Sequence, residues 1–174
     1  MAISVRLLSD LDQQRRHLGT ARAVRRLLPE PESWLDVATG DADFPETARR
    51  LFPYTSFDGT DPTPRVTHAQ AAELVEQAYV GPLTHPHIAR AVRSRYDVVT
   101  MLRTPASREE LRAAVTALRP SGLLLLEAPG PHWAGVCSEL ESQGCVLVPP
   151  KHPLLDRLTK TRRLIARRAP AAPL

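Results

Sequence analysis

Three apolar runs in this chain stop at residues able to do chemistry. Asp36 leads into Val37-Ala38-Thr39-Gly40, Asp61 closes Phe57-Asp58-Gly59-Thr60, and Met101-Leu102-Arg103 follows Tyr96-Asp97-Val98-Val99-Thr100. A carboxylate at a strand end accepts hydrogen bonds, either from the backbone of the next turn or from a bound molecule. Gly40 permits a tight turn between strand and helix, and Asp58 rivals Asp61 for the second position. Arg103 can hold an acidic group, against the plainer reading of an exposed arginine. His132 can take a proton from a nucleophile, although loop histidines are far commoner than bases. His17, His68, His85, His87 and His152 are scattered, and no pair has metal-ligand spacing, so no metal site is expected.

The elements that must position these residues alternate. Leu11 to Leu28 has apolar residues three and four apart and predicts an amphipathic helix stopped by Pro29 and Pro31. Ser33 to Val37 is a strand, Phe44 to Phe52 a helix, Thr55 to Thr60 a strand, and Arg65 to Gln77 an Ala-rich helix. A short strand at Ala78 to Val80, a turn or two of helix at Pro86 to Arg93, and a strand at Tyr96 to Met101 follow. Ser107, with Glu110 three residues on, forms a capping box that opens a helix to Leu118. Leu123 to Glu127 is a continuous apolar strand, as expected where both faces of a parallel sheet are covered. Trp133 to Ser142 is helical, Cys145 to Val148 a strand, and the segment from Leu154 reads as a short basic helix followed by a final edge strand at 162–167. The pattern predicts an α/β fold: a doubly wound, mostly parallel seven-stranded sheet with helices on both faces. Ligands of such a sheet bind beyond the carboxyl ends of its strands, which is where the three runs stop.

The chain has 174 residues, 43% of them hydrophobic and 24% charged, ordinary proportions for one folded domain and unlike disordered or disulfide-stapled chains. No apolar run nears the roughly 20 residues that cross a bilayer. The first residues lack a secretory pattern, which leads us to expect a cytoplasmic protein. Cys137 and Cys145 read as packing residues, and Trp34 and Trp133 likewise. The net charge is +4, with the excess near the end in Arg157, Lys160, Arg162, Arg163, Arg167 and Arg168. A solvated face is the better reading of that end, and a nucleic-acid partner is not expected.

Asp36-Val37-Ala38-Thr39-Gly40-Asp41-Ala42 resembles the first motif of class I S-adenosylmethionine-dependent methyltransferases, Asp-x-Gly-x-Gly-x-Gly, with Ala38 and Ala42 in place of the outer glycines. Phe57-Asp58-Gly59-Thr60-Asp61-Pro62 is similar to that family's second strand, which ends in a carboxylate for the two ribose hydroxyls; Asp61 holds that position, 25 residues after Asp36. Residues 95–101 match the fourth strand, and Leu118-Arg119-Pro120-Ser121-Gly122 is similar to the family's Leu-Lys-Pro-Gly-Gly turn before the fifth. Segments 141–146 and 164–168 resemble the last two strands, so the resemblance runs over about residues 30 to 168 in unbroken order. It implies S-adenosylmethionine as cofactor, held by Asp36, Ala38, Gly40, Asp61, Pro62, Met101 and Leu102. It also implies one domain over 1–174, with a helical cap at 1–29, a Rossmann-like core at 30–168 and a tail at 169–174.

There are departures. The His-x-x-Glu-His-like segment that many small-molecule members carry after the fourth strand is replaced by Leu102-Arg103-Thr104-Pro105-Ala106-Ser107. The covering insertions shrink to 128–132 and 149–153. The expected function is methyl transfer to a small molecule, in bacterial specialised metabolism. The alternative is a methyltransferase-fold protein that has lost methyl transfer and serves as a cyclase-like catalyst or a binding partner. A pocket with so little cover also leads us to expect a homodimer or a protein partner.

Overall fold

The computed structural model describes residues 2–102, 106–129, 133–149 and 161–170. Thirteen elements follow in order: α1 (Ala2–Leu27), β1 (Ser33–Val37), α2 (Asp43–Arg49), β2 (Ser56–Asp61), α3 (Arg65–Ala71), β3 (Ala78–Val80), α4 (Pro86–Val92), β4 (Tyr96–Met101), α5 (Arg108–Ala117), β5 (Leu118–Pro129), α6 (Trp133–Ser142), β6 (Cys145–Val148) and β7 (Thr161–Arg168). Their strands form one seven-stranded sheet in the order β3-β2-β1-β4-β5-β7-β6. The first five are parallel, and β7 runs antiparallel to both its neighbours. The order reverses between β1 and β4, which makes the carboxyl ends of those strands the place for a ligand.

Alternation of side chains along buried strands sorts the core into two layers. Trp34, Phe57, Val98, Leu123 and Leu125 face Ala21 and Val24 of α1 and Phe44 and Ala48 of α2. Their neighbours Leu35, Val99, Leu124 and Leu126 face Ile88 of α4, Leu111 and Val115 of α5, and Leu140 of α6. Trp34, fully buried, packs on Phe44, Phe52 and Phe57 with ring centroids 5.3–5.5 Å apart. Cys137 and Cys145 also belong to the second layer. No described helix is long and apolar enough to cross a membrane.

The expected capping box is present: the Glu110 N–H donates to Ser107 Oγ at 3.2 Å, and the Ser107 N–H donates to Glu110 Oε2 at 2.9 Å. Several features differ from the sequence reading. α1 begins at Ala2 rather than Leu11, and α2 ends at Arg49 rather than Phe52. The helix expected to reach Gln77 stops at Ala71 because the chain turns through Glu73 at φ 59°. There the Leu74 N–H reaches the Ala69 carbonyl and the Glu73 N–H the Gln70 carbonyl, a two-bond helix ending that returns Val75 to the core. β5 begins at Leu118 rather than Leu123, with a register break between Tyr96 and Val98 opposite Ser121 at φ 66°. The terminal strand is not an edge: β7 lies between β5 and β6, pairing Leu124 with Ala166 and Val148 with Ile165. Leu164 and Ala166 are buried, while the Arg167 guanidinium donates to the Ser121 and Leu27 carbonyls and Arg168 to the Leu118 carbonyl. Part of the basic end is therefore engaged inside the fold. The short helix expected from Leu154 lies outside the described residues.

Candidate functional site

The turn after β1 has an unusual backbone for its composition. Ala38, Gly40 and Ala42 all have left-handed φ, at 57°, 58° and 65°. Glycine adopts that conformation freely, whereas each alanine does so at a cost of about 1–2 kcal/mol. The turn thus has the path of a three-glycine loop with one glycine in it. Hydrogen bonds hold it there. The Thr39 N–H donates to the Thr60 carbonyl at 3.0 Å, and the Ala42 N–H to the Thr39 carbonyl at 3.0 Å. Gly59, opposite on β2, makes room: a Cβ there would stand 2.7 Å from Thr39 Cγ2.

Asp36 braces this turn from below. Its Oδ2 accepts the Thr39 hydroxyl at 2.7 Å and its Oδ1 the Thr100 hydroxyl at 2.6 Å, while the Trp34 indole N–H donates to Thr100 Oγ1 at 3.1 Å. With 4% of its surface exposed, Asp36 points into the protein. Asp61 stands at the end of β2 beside the turn. Its Oδ2 accepts the Gly40 N–H at 2.9 Å, and its Oδ1 accepts both the N–H of Thr63 at 2.8 Å and its hydroxyl at 2.5 Å. Burial opposes its charge, but these donors and the Arg65 cation outweigh it and hold Asp61 below the usual carboxylate range. Arg65 also reaches Thr63 Oγ1 at 3.3 Å and Asp41 Oδ2 at 3.4 Å, so a chain of polar contacts links the two loops. Pro62 is exposed at its rim.

Asp58, three residues earlier, has a different environment. Its Oδ2 accepts the Tyr96 hydroxyl at 2.6 Å and its Oδ1 the Gln77 N–H at 3.1 Å. Burial raises its pKa despite those bonds, and burial together with the Asp58 carboxylate raises that of Tyr96.

At β4, Met101 is buried among the α4 to α6 side chains, whereas Leu102 lines a cavity. Arg103 and His132 lie outside the described residues. The middle of α1, at Gln13 to His17, comes near Leu102, and among the described residues two cavities open beside it. One of about 300 Å³ has Gln13 and His17 on one wall and Asp43, Glu46 and Thr47 of α2 on the other. The second, of about 110 Å³, is lined by Gln13, Arg16, His17, Leu102 and Glu127. The sequence reading passed over Gln13 and Glu127 and counted His17 among scattered histidines. Glu127 had a signal: a charged residue ending the run Leu123 to Leu126 must stand at the carboxyl end of a buried parallel strand, where ligands bind.

No family model and no curated protein matches the sequence. Solved structures do match. An O-methyltransferase family protein from Burkholderia thailandensis superposes with a TM-score of 0.67 at 14% identity, over 94% of this chain and 59% of that one. The chain has the class I methyltransferase fold. A chain of the Haloferax volcanii complex between the Trm112 methyltransferase activator and a putative methyltransferase matches over 95% of both chains, with a TM-score of 0.65 and 15% identity. The Burkholderia thailandensis 1,6-didemethyltoxoflavin-N1-methyltransferase, with bound S-adenosylhomocysteine, matches at 0.63 and 14% identity over 88% of this chain and 78% of that one. The chain spans between 49% and 59% of the length of four of the matching structures, the O-methyltransferase family protein among them.

Proposed function

We propose that this protein binds S-adenosylmethionine beside the β1 and β2 turns and methylates a small molecule. The observation that carries the reading is the left-handed path through residues 38, 40 and 42 next to an ionised Asp61. Backbone strain kept in two alanines at a strand end points to a role for that path, since strain of this kind gathers at functional sites. The residues fit the cofactor. A carboxylate offers about four lone-pair positions, the chain uses three on Asp61, and a ribose hydroxyl would take the fourth. The turn at Ala38 and Gly40 would lie along the amino-acid part, and Leu102 would border the transferring end. When bound, the cofactor supplies an electrophilic methyl group. The chain's part is to align an acceptor with it, and alignment alone lowers the barrier by several kcal/mol.

A second reading has its own support. The chain already gives Asp61 three donors and ties Asp41 to Arg65 across the two loops, as expected of a fold that has given up methyl transfer and acts as a cyclase-like catalyst or binding partner. Calorimetry with S-adenosylmethionine and S-adenosylhomocysteine separates the two. Saturable binding of either supports the first, and a clean null with folded protein removes it. The proposal includes a companion chain: the sequence reduces the covering insertions to 128–132 and 149–153, and the Haloferax volcanii match comes from a complex with an activator. Light scattering of a strict 19.2 kDa monomer that methylates unaided would overturn that part.

A further inference from the structure

The smaller cavity holds a carboxylate with unmet capacity. Glu127 follows Leu126, which pairs with Met101 across β4 and β5, so the side chain stands beside Leu102 at the carboxyl end of the sheet. Only 14% of that side chain is exposed. Among the described residues no hydrogen bond reaches it, and its one ion pair is long: Arg163 Nη2 lies 3.7 Å from Glu127 Oε1. That nitrogen also donates to the Arg16 carbonyl at 3.3 Å, and Arg163 Nε is buried with no hydrogen-bond partner among the described residues. The carboxylate is sheltered but not sealed, it faces the cavity, and among the described residues no donor satisfies it. A ligand bringing a donor into the cavity would supply the hydrogen bond that the described residues do not.

The surroundings restrict the ligand. Arg16 lines the cavity and Arg163 stands behind the carboxylate, so an ammonium group meets two guanidinium cations. A ligand carboxylate is repelled by Glu127 itself. A neutral hydroxyl meets neither obstacle. Leu102 supplies an apolar wall, and about 110 Å³ accommodates one end of a molecule rather than the whole of a drug-sized ligand.

Building on the methyl-transfer reading, we infer that this cavity is the acceptor subsite, that it takes a neutral hydroxyl compound, and that Glu127 accepts the hydroxyl hydrogen bond. Ligand-observed NMR with catechol, benzylamine and benzoate as probes tests this. Catechol binds the parent in preference to the other two. Glu127→Leu weakens catechol binding tenfold or more, and Glu127→Gln, which keeps an acceptor oxygen and tests for lost folding, weakens it less. S-adenosylhomocysteine binding, measured in parallel by calorimetry, stays within twofold in all three proteins. Catechol binding that is absent in the parent or unchanged in Glu127→Leu overturns the inference, as does preference for benzylamine or benzoate. If S-adenosylhomocysteine fails to bind while catechol binding still depends on Glu127, the subsite stands and the methyl-transfer reading falls.

Discussion

Replacing Ala38 by glycine should stabilise this protein, which is the opposite of what the substitution does at most positions. At φ 57° the alanine is strained by about 1–2 kcal/mol. Glycine removes that strain but adds about 0.4–1 kcal/mol of unfolded-chain entropy. Ala38 is only half-buried, so its methyl contributes little packing, and the net gain should be about 0.5–1 kcal/mol. Ala42 has the same strain at φ 65° but is fully buried against Val66, Ala69 and Val75. Deleting its methyl forfeits about 0.8 kcal/mol of burial, which brings the net for Ala42→Gly close to zero. Calorimetric unfolding should show Ala38→Gly raising the midpoint by about 1–4 °C, from about 2–4 °C per kcal/mol in a chain of this size, with Ala42→Gly near the parent. A lowered midpoint for Ala38→Gly, or a larger gain for Ala42→Gly, would refute the strain argument. Ala38→Gly should also bind S-adenosylmethionine more tightly, because its half-buried methyl leaves a position of close approach, whereas Ala42→Gly, whose methyl sits in the core, should bind like the parent; unchanged binding for Ala38→Gly counts against a working pocket.

Three further outcomes follow from the same geometry. Asp61→Ala should raise the dissociation constant for S-adenosylmethionine at least tenfold, a charge-assisted hydrogen bond being worth about 1.5–3 kcal/mol, while Asp58→Ala should not act through cofactor contact; calorimetry on both variants checks the assignment. The two aspartates should also respond oppositely to pH. Asp61, depressed in the fold, stabilises above its unfolded pKa of about 3.9 and loses that contribution as pH falls through its lower folded value, so the penalty of Asp61→Asn shrinks in acid. Asp58, raised in the fold, contributes stability below about 3.9 and loses it as pH rises through its folded value, so Asp58→Asn gains on the parent from pH 4 to 7. Urea titrations carried from pH 7 to well below about 3.9 test both signs, Asp58 in the upper part and Asp61 in the lower, and parallel trends would sink the argument. Tyr96→Phe should cost about 1–3 kcal/mol at pH 7, because it removes the 2.6 Å donor from a buried carboxylate, and a loss under 0.5 kcal/mol in the same titration would count against it.

What the sequence determined by itself is what neighbouring residues decide together. The capping box of Ser107 and Glu110, the bounds of β4 and α6, and the alternation of strands with helices rest on contacts within a few residues, and each was legible. So was the resemblance in fold, because the left-handed turn at 38, 40 and 42 carries its residues in short succession. Tertiary structure decided the rest. β7 carries the basic pattern of an exposed strand, and only the carbonyls of Leu27, Leu118 and Ser121 explain how its arginines lie in the sheet's interior order. Asp58 and Asp61 are equal on paper, yet Tyr96, 38 residues away, claims one, and Gly40 and Thr63 claim the other. Glu127 gains its place only when α1 crosses near Leu102 and β7 brings Arg163 alongside. Hydrogen bonds and ion pairs depend on distance in space, and separations of 20 to 150 residues leave no periodicity in the chain from which that distance can be read.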